Sequence, residues 1–106
     1  MTTFTLEPQE NDRLQSLCGA FDENIKLIEK EFNLNISRNN FTFTVKSNDE
    51  SPKPHHEQLI ERAAKLIQAL YVETAPIKGK VKELDLEDIH IALQECRMLS
   101  QEGSES

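Results

Sequence analysis

Polar and apolar residues alternate from Thr2 to Leu6, with Phe4 and Leu6 set against Thr3 and Thr5, the period-two pattern of a short strand. Pro8 follows, with a fixed φ suited to the first turn of a helix. Leu14, Leu17 and Cys18 then recur at helical spacing until Gly19 ends the run. A second helix is expected from near Asp22, whose carboxylate suits the position that accepts the free N–H groups of a first turn. Ile25, Ile28 and Phe32 share one face of it, while Lys26, Glu29 and Lys30 fall elsewhere. Asn33 is the expected stop, because Asn tolerates the left-handed conformation that closes helices.

A hairpin comes next. Leu34 and Ile36 alternate with polar neighbours, Arg38-Asn39-Asn40 reads as the turn, and Phe41, Phe43 and Val45 alternate with Thr42 and Thr44. One sheet face should be aromatic and buried, the other threonine-rich and wet. Lys46 to Pro54 is rich in loop residues. Residues 56 to 74 carry a broad apolar stripe (Leu59, Ile60, Ala63, Leu66, Ile67, Leu70, Tyr71), predicting the longest helix. Pro76 and Gly79 mark a linker over 77–84. Asp85 then caps a final helix over 85–100 carrying Leu86, Ile89, Ala92, Leu93, Cys96 and Leu99, and 101–106 is expected to be a polar, frayed tail. Strand, helix, helix, strand, strand, helix predicts an α+β domain over 1–76, with a three-stranded antiparallel sheet and one additional C-terminal helix.

Composition narrows the function classes. With 106 residues, 37% of them hydrophobic, the chain suits one small globular domain. Nineteen acidic residues against twelve basic ones leave a net charge of −7, a poor overall field for a polyphosphate backbone. Any RNA contact must then be local or aided by a second domain. Cys18 and Cys96 lack metal or redox spacing and read as small buried apolar residues in a reducing cytosol. Met1 to Asp12 has no basic segment leading into an apolar run, and no apolar stretch approaches the roughly 20 residues that span a bilayer. The expected localisation is cytoplasmic, with no membrane partner.

From Gly19 to Ile36 the chain resembles a KH domain. In that fold a GxxG loop between two helices grips the backbone of about four nucleotides. Gly19 takes the first glycine, Ile25 and Ile28 the core positions of the following helix, and Asn33 the glycine before the strand, in the βααββα order. Asp22 replaces the second glycine. A carboxylate there would fill the anion site at the helix amino terminus and repel a phosphate a few ångströms away by about 1 kcal/mol. The resemblance implies candidate nucleic-acid contacts at Gly19, Ala20, Phe21 and Asp22, with Lys26, Lys30, Arg38 and Lys46 on the rim; the alternative reading makes the loop a capped turn and the lysines ordinary solvated charges.

Four segments in order resemble the amino-terminal domain of PhoH-like proteins: Phe4 to Pro8, Leu17 to Asn24, Leu70 to Pro76, and Glu87 to Leu93. The resemblance implies a non-catalytic accessory domain preceding a P-loop ATPase domain, in phosphate-starvation-inducible, cytoplasmic, ATP-binding proteins connected with RNA metabolism. ATP and Mg²⁺ would belong to that ATPase domain. The phosphate-cradling GxxxxGK[ST] loop is not found here: Gly79-Lys80 is followed by Val81, and Thr74 stands where the first glycine should be. No cofactor, metal or catalytic residue is expected in this chain. Lys78, Lys80 and Lys82 read as a solvated linker. His55 and His56 cannot converge on one metal from adjacent positions, and His90 reads as a surface residue. Expected partners are the ATPase domain and single-stranded RNA. A rival reading, motivated by the acidic charge and the amphipathic final helix, is a protein-interaction or oligomerisation module binding no nucleic acid, with a second copy of the chain as one partner.

Overall fold

The computed structural model describes residues 1–48 and 54–105, with side chains described through Cys96. Its elements run β1 (Thr2–Thr5), α1 (Asn11–Cys18), a single 3₁₀ turn (Ala20–Asp22), α2 (Glu23–Phe32), β2 (Leu34–Asn39), β3 (Thr42–Ser47), α3 (Pro54–Glu73) and α4 (Leu86–Glu105). The order through α3 is the βααββα order expected of a KH-like domain, and α4 is the additional helix. The sheet is antiparallel throughout with β3 in the centre, in the order β1-β3-β2.

The alternation along each strand sorts the two sheet faces as the sequence predicts. Phe4 pairs with Phe43, and their rings stack with centroids 5.5 Å apart. Phe43 and Val45 are fully buried beneath the helices with Leu17, Ile28, Ile60 and Ile67. Each such side chain contributes about 1.5–3 kcal/mol of apolar burial. On the opposite face Thr3 meets Thr44 and Thr5 meets Thr42, with hydroxyl pairs 3.3 and 3.0 Å apart. The β2 edge is covered by α2, from which Glu29 Oε2 accepts the Ile36 N–H at 2.7 Å.

Helix boundaries follow local chemistry, with some departures. Asn33 closes α2 in the left-handed conformation, φ 54°. Pro8 does not start α1, which begins at Asn11. Residues 8–10 instead bracket the Tyr71 hydroxyl, which donates to the Pro8 carbonyl and accepts the Glu10 N–H at 3.2 Å. The hairpin turn falls at Asn40-Phe41 rather than Arg38-Asn39-Asn40, because Arg38 and Asn39 stay paired with Phe43 and Thr42 and Asn40 takes the left-handed conformation. α3 begins at Pro54, a residue well suited to a first turn; most of the expected loop, residues 49–53, lies outside the described residues. Helix α4 continues to Glu105 through the segment expected to fray.

Two polar networks tie distant segments together. Arg13, 5% exposed, gives Nε to Thr74 Oγ1 at 3.1 Å, Nη2 to the Tyr71 carbonyl at 2.8 Å and Nη1 to Glu10 Oε1 at 3.1 Å. Its guanidinium also lies 4.3 Å from the centroid of the Tyr71 ring. The sequence pattern placed Tyr71 in an apolar stripe; its ring is buried there, while its hydroxyl and carbonyl fasten the start of α1 to the end of α3.

The second network docks α4. The fully buried Asn24 gives Nδ2 to the Leu17 carbonyl and the Leu84 carbonyl, both at 3.0 Å, so the expected linker is held down at Leu84. Before that point Ile77 and Lys80 bridge across Lys78 and Gly79, both left-handed. Asp85 and Asp88 then cap α4 reciprocally: Asp85 Oδ1 accepts the Asp88 N–H at 2.9 Å and Asp88 Oδ2 the Asp85 N–H at 3.2 Å. α4 packs on α2 and α3, burying Ile89 and Leu93.

Truncating Arg13 removes a buried, charged donor from the Tyr71 carbonyl and from Thr74 Oγ1, and with it the packing against the Tyr71 ring. Arg13→Ala is expected to lower unfolding free energy in urea by about 2–3 kcal/mol, against less than about 1 kcal/mol for Arg38→Ala, whose ion pair is partly solvated. Equal losses would show that the Arg13 network does not anchor the fold.

Candidate functional site

The turn joining α1 to α2 rests on unusual backbone. Gly19 has φ 75° and ψ −177°, and its N–H returns to the Gln15 carbonyl at 2.9 Å to close α1. A Cβ there would stand 3.1 Å from Asn24 Cγ and from Glu23 Cγ, so the position needs glycine for both conformation and space. Phe21 and Asp22 are both left-handed, at φ 54° and 58°. The pair turns the chain into α2 and leaves the Phe21 side chain 93% exposed at the tip.

This geometry explains why glycine suits the fourth position of such a loop: the backbone there is left-handed, and Asp is among the few other residues that accept it. The side chain of Asp22 does not cap α2 as expected. It sits at the N-cap position with left-handed rather than extended backbone, makes no side-chain cap bond, and accepts at Oδ1 from Arg38 Nη2 at 2.9 Å. Arg38 also donates from Nη1 to the Asn40 carbonyl at 3.1 Å, so the ion pair pins the loop to the far end of β2.

The expected contact residues divide into two groups. Lys26 and Lys30 are exposed, four and eight residues beyond Asp22 on the same side of α2, and Arg38 joins them through its bond to Asp22. Gly19, Ala20, Phe21 and Asp22 form the head of that side. Lys46 does not belong to it: it pairs with Asn35 on the outer, threonine-bearing face, whereas Arg38 pairs with Phe43 on the helix-covered face. Lys78, Lys80 and Lys82 are exposed along the 77–84 segment.

A groove of about 620 Å³ opens between α1 and the 77–85 segment, with Gly19, Ala20 and Phe21 of the turn also lining it. Asp12, Glu23, Glu83 and Asp85 line it with Phe21 and Val81, and no Lys or Arg is among its lining residues. Asn24 lies behind this wall, against Gly19 and the Leu84 carbonyl, and its buried Oδ1 has no hydrogen-bond partner among the described residues. A polar residue interrupting the apolar face of α2 was the sequence signal for Asn24.

Burial pushes the Cys18 thiol up from an ordinary 9.0 to about 11; Arg38 opposes this and Asp22 adds to it. Cys96 is half-buried. Among the described residues no group of three or more His, Cys, Asp or Glu side chains is arranged to hold a metal ion, and no helix is long and apolar enough to cross a membrane. No protein-family model matches the chain, and no solved structure matches its fold.

Two tests follow from the backbone and the thiol. Gly19→Ala should cost about 1–3 kcal/mol in urea unfolding, whereas Phe21→Gly should be neutral or stabilising because it relieves a left-handed residue without removing core contacts. The opposite order would refute the described turn. Cys18 should resist iodoacetamide at about pH 8 in the folded protein and react on unfolding. Its raised pKa adds stability that is complete below about pH 9 and is lost as pH rises toward about 11. A Cys18→Ala variant should lack that component of the alkaline decline in urea midpoint; an identical decline in both proteins would refute it.

Proposed function

We propose that this chain is the non-catalytic, KH-like accessory domain of a PhoH-like, cytoplasmic ATPase acting in RNA metabolism, and that it helps the ATPase domain engage single-stranded RNA. ATP and Mg²⁺ chemistry belongs to the ATPase domain. The observation that supports RNA engagement is the placement of two exposed lysines, Lys26 and Lys30, beyond the Gly19 turn, with Arg38 reaching the turn from β2. Basic side chains beside a turn at the head of a helix suit the phosphates of a short single strand.

Asp22 restrains this side, because it holds Arg38 and places a negative charge where a phosphate would approach. Asp22→Gly keeps the left-handed backbone and releases Arg38. Titrated with a labelled ten-nucleotide oligouridylate at low salt, this variant should bind roughly fivefold tighter than the parent chain, about 1 kcal/mol. Adding Arg38→Ala should remove the gain. Absence of binding by both the parent chain and Asp22→Gly would defeat the RNA reading. A second reading, a protein-interaction module, is favoured by Phe21 standing exposed over an acidic groove.

A further inference from the structure

We propose that the groove between α1 and the 77–85 segment is a docking site for a cationic, apolar-containing protein segment, with Phe21 as the contact that its apolar residue packs against. The inference rests on the interaction reading, and the 77–85 wall of the groove separates it from RNA binding at the turn and along α2. Two observations lead to it.

The first is charge. Asp12, Glu23, Glu83 and Asp85 come from three separate parts of the chain and line one opening of about 620 Å³, with no basic lining residue to neutralise them. Carboxylates gathered by folding, rather than adjacent in sequence, raise the local field that a positive partner sees. They are not arranged as a chelating group for a metal ion. The complementary charge is therefore spread along a chain, as on lysine and arginine side chains. A nucleic acid is excluded from this side by the same carboxylates that attract a basic peptide.

The second is Phe21. A phenylalanine 93% exposed forgoes the burial that repays its placement, and this one also occupies a left-handed conformation. It lines the acidic groove together with Val81, so the opening combines apolar contact with negative charge. Rigid aromatic residues in such a setting supply the anchoring contact of many interfaces.

The probe is a ten-residue peptide of alternating Lys and Leu, titrated into the ¹⁵N-labelled chain at about 20 mM salt and again at about 300 mM. Shifts are expected at Val81, Glu83 and Leu84, with binding that weakens at the higher salt. Phe21→Gly, which suits the local backbone, should weaken it roughly fivefold, and Glu83→Lys by a similar factor. A peptide alternating Glu and Leu serves as the charge control and should not shift these amides. The proposal is overturned if the Lys–Leu peptide leaves them unmoved, if both variants bind as the parent does, or if the acidic peptide binds equally well. It is also overturned if oligouridylate moves this same set. Shifts from oligouridylate confined to the Gly19 to Asp22 turn, Lys26, Lys30 and Arg38 would bear on the RNA reading alone.

Discussion

The carboxamide of Asn24 is the interaction on which the arrangement around the turn depends. One buried NH₂ group holds the last turn of α1 through the Leu17 carbonyl and the approach to α4 through the Leu84 carbonyl. Because the side chain belongs to the first turn of α2, it fixes three segments relative to one another at a single point. Gly19 is part of the same constraint, since any side chain there would collide with the amide.

The periodic parts of this architecture were legible in the sequence. Period-two alternation around Phe4, Phe43 and Val45 identified the sheet and its buried face, and the spacing of Ile25 and Ile28 identified the inward side of α2. Asp85 was legible as a cap because its partner Asp88 lies three residues away. Contacts across long sequence separations were not. Arg13 meets Thr74 and Tyr71 about sixty residues further on, and Asn24 meets Leu84 at the same remove, with no local periodicity to announce either. Asp22 shows the difference most plainly: local reasoning assigned its carboxylate to the adjacent N–H groups, but the fold brings Arg38 within 2.9 Å and the charged donor prevails.

At the level of the candidate site, the sequence identified the loop and most of its basic neighbours, but not the division of charge around it. Lys46 is separated from the rest by strand parity, a single residue's difference that turns a side chain to the opposite face. The acidic groove combines Asp12, Glu23 and Glu83 from segments whose proximity exists only after α4 has docked. The net charge of −7 argued against nucleic acid for the chain as a whole. The fold distributes it unevenly, setting Lys26, Lys30 and Arg38 near the turn and gathering Asp12, Glu23, Glu83 and Asp85 in the groove.

The bond from Glu29 to the Ile36 amide has a consequence for how this unit lives beside others. An edge strand with open amides is a template on which another chain can add a strand. Here a carboxylate from the covering helix occupies the middle of β2, so an incoming strand would have to displace a charged hydrogen bond before it could register. The sheet is thereby kept at three strands on that side. Along its β2 edge the module can lie next to another folded unit without zipping onto it through its backbone.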